Sequence, residues 1–411
     1  MLNKDGIRML SYIVQIDDIR PIEGADSVEI AVVGGWTIMV KQKQFQKGDW
    51  AIYFEIDSKV PEIEPFEFLA SKHYKIKTQK YFKGTVISQG LLMSLNDFPD
   101  IFEYDNLSGM GWLYKNKKNT PVNIHDDLTA LLKVKYSVAE DNKRKSNIDR
   151  YTKMAARHSK LFKTNKIVKW LFQRTWGKKL LFIFLGNKKD KRTWPIWVRK
   201  TDEERVQNLP QLFPGDNTIW VVTEKIDGSS TTFTMKGRGR REDYYVCSRN
   251  VCFDTPEKAD KCFYDTNIYL EMEQKYNIKE ILRELLNEHK DWTFVTIQGE
   301  TYGDGVQKRT YNLKNERKFM AFNLVYGLKD NDYIRMNPIE MTETLSKYEI
   351  PCVPILDKEF KIPQTMDEMI HYADGKSILD GGMREGVVLR TLDGESSFKS
   401  VSNDFLIKYH Q

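Results

Sequence analysis

Short apolar runs dominate the first hundred residues. Ser11–Asp17, Val28–Val33, Trp36–Val40, Trp50–Glu55 and Thr85–Leu92 are rich in Ile, Val and aromatic residues and are separated by Gly, Asp or Pro. Regularly spaced runs of this kind predict a small β-barrel or sandwich. After Asp126 the period lengthens. DDLTALLKV and then YTKMAARHSKLFKTNKIVKWLFQRTW set apolar residues at helical spacing with lysines between them. From Trp194 the pattern is mixed. TDEERVQN, acidic in its first turn, predicts a helix, and TIWVVTEKI predicts a strand. Further strands are expected at 231–236, 244–248, 293–299, 318–326 and 385–391, with helices at 267–290 and 339–348. The chain reads as an α+β protein of three parts: 1–125, 126–193 and 194–411.

Charge sharpens this division. Net charge is only +6, yet residues 141–200 hold 19 Lys and Arg against Asp141, Asp149 and Asp190, so this stretch alone carries +16. A local excess of that size suggests contact with a polyanion. We therefore read 141–193 as a helical insert or basic arm that meets nucleic acid, with an anionic membrane surface as the competitor. KKLLFIFLGN within it is too short to span a bilayer and suits a docking strand or helix. In the first part, YKIKTQKYFKG mixes four lysines with aromatics. That composition suits the open face of an OB-fold, which binds single strands by stacking and charge; it also suits a solvated hairpin.

Other classes are disfavoured. No stretch approaches the ~18–20 uninterrupted apolar residues of a membrane span. The start, MLNKDGIRMLSYIVQIDDI, lacks a leader's apolar core and cleavage site, so a cytoplasmic setting is expected. The four cysteines (Cys247, Cys252, Cys262, Cys352) form no CxxC pair and read as reduced thiols, not a zinc site.

The chemistry begins at Lys225-Ile226-Asp227-Gly228, between a strand and a Gly-Ser turn. KxDG alone is a weak signal. An ordered set follows it: Ser-Arg-Asn at 248–250, Gly-Glu-Thr at 299–301, Phe-Met-Ala-Phe-Asn at 319–323, Glu-Gly-Val-Val at 385–388 and Phe-Lys-Ser-Val-Ser at 398–402. Together these resemble the six collinear motifs of the covalent nucleotidyltransferases, the ATP-dependent polynucleotide ligases and capping enzymes. Within that superfamily the chain looks most like nick-sealing RNA ligases with an N-terminal OB module. GADSVEIAVVGGW, GDWAIYFEIDS and KTDEERVQN extend the likeness to nearly all of the chain except 141–193. Ser230 stands where DNA ligases and capping enzymes carry an arginine, and no second OB domain is evident after the last motif.

The resemblance implies an OB-like β-barrel followed by a nucleotidyltransferase domain of antiparallel sheets with flanking helices. It implies ATP as AMP donor, Mg²⁺ or Mn²⁺, and RNA ends in nicked RNA or RNA/DNA duplex as substrate, acted on by a monomer away from membranes. Lys225 is the expected nucleophile, forming a phosphoramidate with AMP. Such a lysine must shed its proton, which burial and a neighbouring cation favour; Lys399, expected at the ATP phosphates, is that neighbour. Glu385, assisted by Asp227, is expected to hold the hydrated metal. Phe322 is expected to stack on adenine, with Phe319 on the opposite strand face. Glu300 is expected at the ribose, Glu224 at adenine, and Arg249 at the ribose or a nucleic-acid terminus. Gln307 and Lys308 fit either phosphate contact or a turn. Many relatives carry a second lysine where this chain has Val401; Lys408 or the basic insert would replace it, or this branch does without it. The competing functions are a GTP-dependent guanylyltransferase and a nucleic-acid-binding protein with a decayed ligase domain.

Overall fold

The computed structural model describes residues 1–3, 7–82, 86–106, 111–115, 120–136, 161, 165–185, 191–192, 194–249, 251–253, 267–329 and 333–409. Most of the basic insert, the YTKMAARH run, Asn250 and Cys262 lie outside the described residues.

The first module is all-β. Val28–Val33 lies between Asp18–Pro21 and Trp36–Lys41 in an antiparallel meander, and Trp50–Phe54 lies between Ser11–Gln15 and Leu91–Ser94. β-branched and aromatic residues alternate into its interior, where Tyr12, Ile13, Trp36, Tyr53 and Phe54 are essentially sealed from solvent. Burying each such side chain contributes roughly 1.5–3 kcal/mol. The single run expected at Thr85–Leu92 is two strands, Val86–Ser88 and Leu91–Ser94. Gly90 between them takes φ +104°, and a Cβ there would lie 2.4 Å from the Tyr53 ring. Only glycine fits.

The helix expected over DDLTALLKV is absent. These residues form turns whose Leu128, Leu132 and Val134 plug the core of the first module. Tertiary burial of three apolar side chains replaces helical hydrogen bonding as the organising force. Two helices are present in the described part of the insert, Lys166–Phe172 and Thr175–Leu185. The second contains KKLLFIFL, so that run is a helix and not a strand.

Two sheets build the remainder. A seven-stranded sheet runs in the order Lys191–Arg192, Cys252–Phe253, Asp243–Ser248, Ser229–Lys236, Phe294–Gly303, Arg317–Gly327, Tyr333–Arg335. Helices Ile268–Lys275 and Ile278–Glu288 cover it, and their buried Met272, Leu282 and Leu285 meet Phe233, Ile297 and Phe319. A five-stranded sheet runs Glu204–Arg205, Ser397–Val401, Gly386–Thr391, Trp220–Lys225, Ile355–Phe360. TDEERVQN is therefore no helix. Glu204–Arg205 pairs in parallel with Phe398 and Lys399, and Val206–Asn208 makes a 3-10 turn.

That turn is where the modules meet. Gly35 N–H donates to the Gln207 carbonyl at 2.8 Å, and Trp36 Nε1 donates to Asn208 Oδ1 at 2.7 Å. Val401 and Leu406 join the cluster of Tyr12, Trp36 and Tyr53. Thus the VVGGW and EERVQN segments, distant in sequence, form one interface.

Candidate active site

Lys225-Ile226-Asp227-Gly228 is the crossover between the two sheets. Lys225 ends one strand and Ser229 begins the next. Gly228 must pass the neighbouring strand so closely that a Cβ would fall 2.3 Å from the Thr301 carbonyl oxygen. The site therefore sits in the cleft where the sheets diverge.

Pairing registers bring distant motifs to this point. Lys225 is opposite Gly386, so Glu385 lies beside it; the Lys225 ammonium donates to the Glu385 carboxylate at 2.8 Å. Ser230 is opposite Glu300 on the other sheet. Asp227 is buried, and its N–H donates to Tyr311 Oη at 2.7 Å. Gln307 Nε2 donates to the Gly228 carbonyl at 3.0 Å, which gives this residue a turn-holding place next to the crossover.

The electrostatics differ from the sequence expectation. Burial acts to lower the pKa of Lys225, but Glu385, Glu300 and Asp227 outweigh it, and the net shift is upward. The expected cationic neighbour does not set the protonation state of the free protein; three carboxylates do. Those carboxyls are strained in turn. Burial, then the neighbouring Glu385 charge, pushes Asp227 up to about 8, and burial chiefly pushes Glu300 up to about 8. Among the described residues no group of three or more His, Cys, Asp or Glu is arranged to hold a metal ion. The donor set suits a hydrated divalent cation held through one or two carboxylates.

A second cluster faces this one. Lys399 Nζ donates to Asp202 Oδ1 at 2.7 Å, and Arg249 Nη2 donates to Asp202 Oδ2 at 2.6 Å. Burial opposes ionisation of Asp202, yet Lys399 and Arg249 hold its pKa well below the usual carboxylate range. Lys399 itself is lowered by burial, with Arg205 and Lys225 adding to that effect against Asp202. Asp202 was not among the expected site residues. Its signal was the acidic run TDEE lying before the strand that ends in Lys225, which the helix reading absorbed.

The same cleft has an apolar wall and an unsatisfied acceptor. Phe322 packs, partly buried, with Ile226, Tyr302, Tyr311 and Val353, whereas Phe319 is sealed against Phe233 under the helices. Arg390, another residue missed in the sequence, donates from below to the Phe322 carbonyl at 3.0 Å. Glu224 is 1% exposed; its Oε2 accepts from Ile378 N–H at 2.9 Å, and its Oε1 has no partner among the described residues. An orphaned buried carboxylate oxygen costs free energy until a donor arrives. Ser230 Oγ shares a 3.0 Å hydrogen bond with Thr201 Oγ1.

Two expected positions lie elsewhere. Val401 is 3% exposed in the inter-module core, so a lysine there would point into apolar packing and not at phosphate. Lys408 is exposed, with its ammonium 5.1 Å from the Tyr409 ring centre.

Residues 218–410 match the RNA ligase family model, and residues 10–95 match an OB-fold domain model. The second half of the chain is thus similar to the RNA ligase family. Solved structures share the fold over nearly the whole chain. A variant of Naegleria gruberi RNA ligase with ATP and Mn is 25% identical, covers 98% of this chain and 100% of its own, and superposes with a TM-score of 0.69. The same enzyme with PPi is 24% identical over 98% and 99% of the two chains at a TM-score of 0.69. A further variant with AMP and Mn is 24% identical over 98% and 99% at 0.68. No curated protein sequence matches. No helix among the described residues of the ligase is long and apolar enough to cross a membrane.

Proposed function

We propose that this ligase joins RNA ends through a lysyl-AMP intermediate formed at Lys225. The observation that carries the proposal is the convergence of Lys225 with Glu385, Asp227 and Glu300 on one side of the cleft and Lys399 with Arg249 on the other. Lys225 first gives its ammonium proton to solvent, a loss that cation binding at its carboxylate neighbours would favour; Nζ then attacks the α-phosphorus of ATP, the N–P bond forms, and the bond to pyrophosphate breaks. A 5′-phosphate oxygen then attacks the same phosphorus and frees the lysine. Finally a 3′-hydroxyl attacks the activated 5′-phosphorus, and AMP leaves.

Each residue has a place in this scheme. Asp202 would hold Lys399 and Arg249 in place while their other N–H donors take phosphate oxygens, with the planar guanidinium suited to bidentate contact. Phe322 would stack on adenine, and the orphaned Glu224 Oε1 would accept from its exocyclic amine. Glu300 would accept from a ribose hydroxyl. A hydrated Mg²⁺ or Mn²⁺ held through Glu385 and Asp227 would neutralise triphosphate charge and relieve the crowding of carboxylates around Lys225. The first module would track the duplex, with A-form shape and the 2′-hydroxyl marking the RNA strand. A guanylyltransferase is the weaker reading, since Ser230 stands where capping enzymes carry an arginine.

Sealing of nicked duplexes that differ only in ribose or deoxyribose at the 3′-hydroxyl end tests the substrate class. Preference for ribose is expected. Equal sealing of a DNA 3′ end would overturn the RNA assignment and leave nucleotidyl transfer standing.

A further inference from the structure

The helical pair of the insert lies outside both matched regions, 10–95 and 218–410. Asn165 caps its first helix, accepting from Ile167 N–H at 2.9 Å and Val168 N–H at 3.2 Å. Val168, Leu171, Phe172, Leu181 and Leu185 turn inward on one another in a cluster separate from the cores of either module. Among the described side chains, Val168, Leu171, Leu181 and Leu185 are the aliphatic residues that hold the hairpin together.

Among the described side chains, a stripe of indoles and cations is left outside. Trp170 is 48% exposed and Trp176 55% exposed, edge to face with ring centres 6.1 Å apart. The Arg174 guanidinium lies 3.7 Å over the Trp170 ring. Lys166, Lys169, Lys178 and Lys179 complete the set, and residues 165–185 contain no acid. Exposed Ile167 and Leu180 sit beside the indoles. Large aromatic surface left in water is unfavourable unless a partner covers it.

We infer that this hairpin is a docking surface for an unpaired RNA strand, with Trp170 and Trp176 as stacking platforms and the flanking lysines on phosphates. Three features favour that occupant over a lipid surface. Among the described side chains, Val168, Leu171, Leu181 and Leu185 are turned inward and only Ile167 and Leu180 face out. The exposed rings alternate with cations, as stacked bases alternate with phosphates. The surrounding segment carries +16, complementary to a polyanion. Bases free to stack on indoles must be unpaired, so the partner is a single strand and not the sealed duplex. The inference extends the RNA-joining reading by adding a grip on RNA beyond the nick.

The test uses the full chain and fluorescence anisotropy with a labelled, unstructured single-stranded RNA. Trp170→Ala with Trp176→Ala should weaken binding by about tenfold or more. Lys169→Glu with Lys179→Glu, which leaves the aromatics in place, should weaken it and flatten its salt dependence. AMP labelling by ATP alone should be unchanged in both. RNA affinity equal to wild type in both variants overturns the inference. So does loss of binding to phosphatidylserine vesicles with RNA affinity intact, which would assign the surface to lipid. Absence of AMP labelling in the wild type would sink the proposed reaction and leave the RNA affinities to decide this surface independently.

Discussion

Val401→Lys restores the residue type that related ligases carry at this place in the last motif, and the structure predicts that it harms the protein. Val401 is 3% exposed among Tyr12, Leu406 and other residues of the inter-module cluster. Losing valine's burial costs about 1.5 kcal/mol. Placing an ammonium there without a carboxylate costs several kcal/mol more, less whatever the long stem recovers by reaching water. We expect a net loss of at least about 3 kcal/mol. Thermal unfolding followed by circular dichroism should then fall by roughly 6–12 °C, at about 2–4 °C per kcal/mol for a domain of this size. Val401→Ala, which removes only methyl groups, should cost about 1–2 kcal/mol. AMP labelling of Val401→Lys below its lowered Tm should not exceed wild type. An unchanged Tm with faster labelling would show that position 401 faces the phosphates, and the inter-module placement would be wrong.

Other substitutions probe the cleft itself. Asp202→Asn leaves Lys399 and Arg249 facing each other without their shared carboxylate; it should cost about 2–4 kcal/mol, discounted for the half-exposed Arg249, and raise KM for ATP more than it lowers kcat. Recovery of KM by Asp202→Glu, and none by Asp202→Asn, distinguishes positioning from bulk packing. Gly228→Ala forces a methyl to within 2.3 Å of the Thr301 carbonyl oxygen, and should destabilise by about 1–3 kcal/mol and abolish labelling; a stable, active variant would refute the crossover geometry. The ligand-free protein should lose stability between about pH 5 and pH 8, because Glu300, raised to about 8, binds a proton in the folded state that the unfolded chain has already released. Denaturant titrations across that range should show Glu300→Gln losing less than wild type, and parallel curves for the two proteins would contradict the assignment.

The sheets were legible because their strands carry their own signal. Val28–Val33 alternates β-branched residues over one face and matches the structure end to end. Helices 278–288 and 338–346 likewise show their apolar stripe. TDEERVQN misled because its acid-rich start imitates a helix, while its actual partner, Ser397–Val401, is nearly two hundred residues away and contributes pairing that no local window contains. DDLTALLKV misled because leucines four apart can fill a core from turns as well as from a helix. Helix Met366–Ala373 was missed although Thr365 and Glu368 form a readable capping box. In the candidate site, collinear motifs pointed to Lys225, Glu300, Glu385 and Lys399, and the structure brings the four to one cleft. Asp202 escaped because its importance comes from what it touches. Val401 looked like a missing charge because the inter-module contact that explains it exists only in three dimensions.

The proposed mechanism rests on a covalent bond, so the most direct measurement is transfer of labelled AMP to the protein. The full chain is incubated with α-phosphate-labelled ATP and Mg²⁺ or Mn²⁺, denatured, and run on a gel beside Lys225→Ala. We predict label on the wild type, its removal by added pyrophosphate, and none on Lys225→Ala. No label on the wild type, label from GTP alone, or label that survives Lys225→Ala would contradict it.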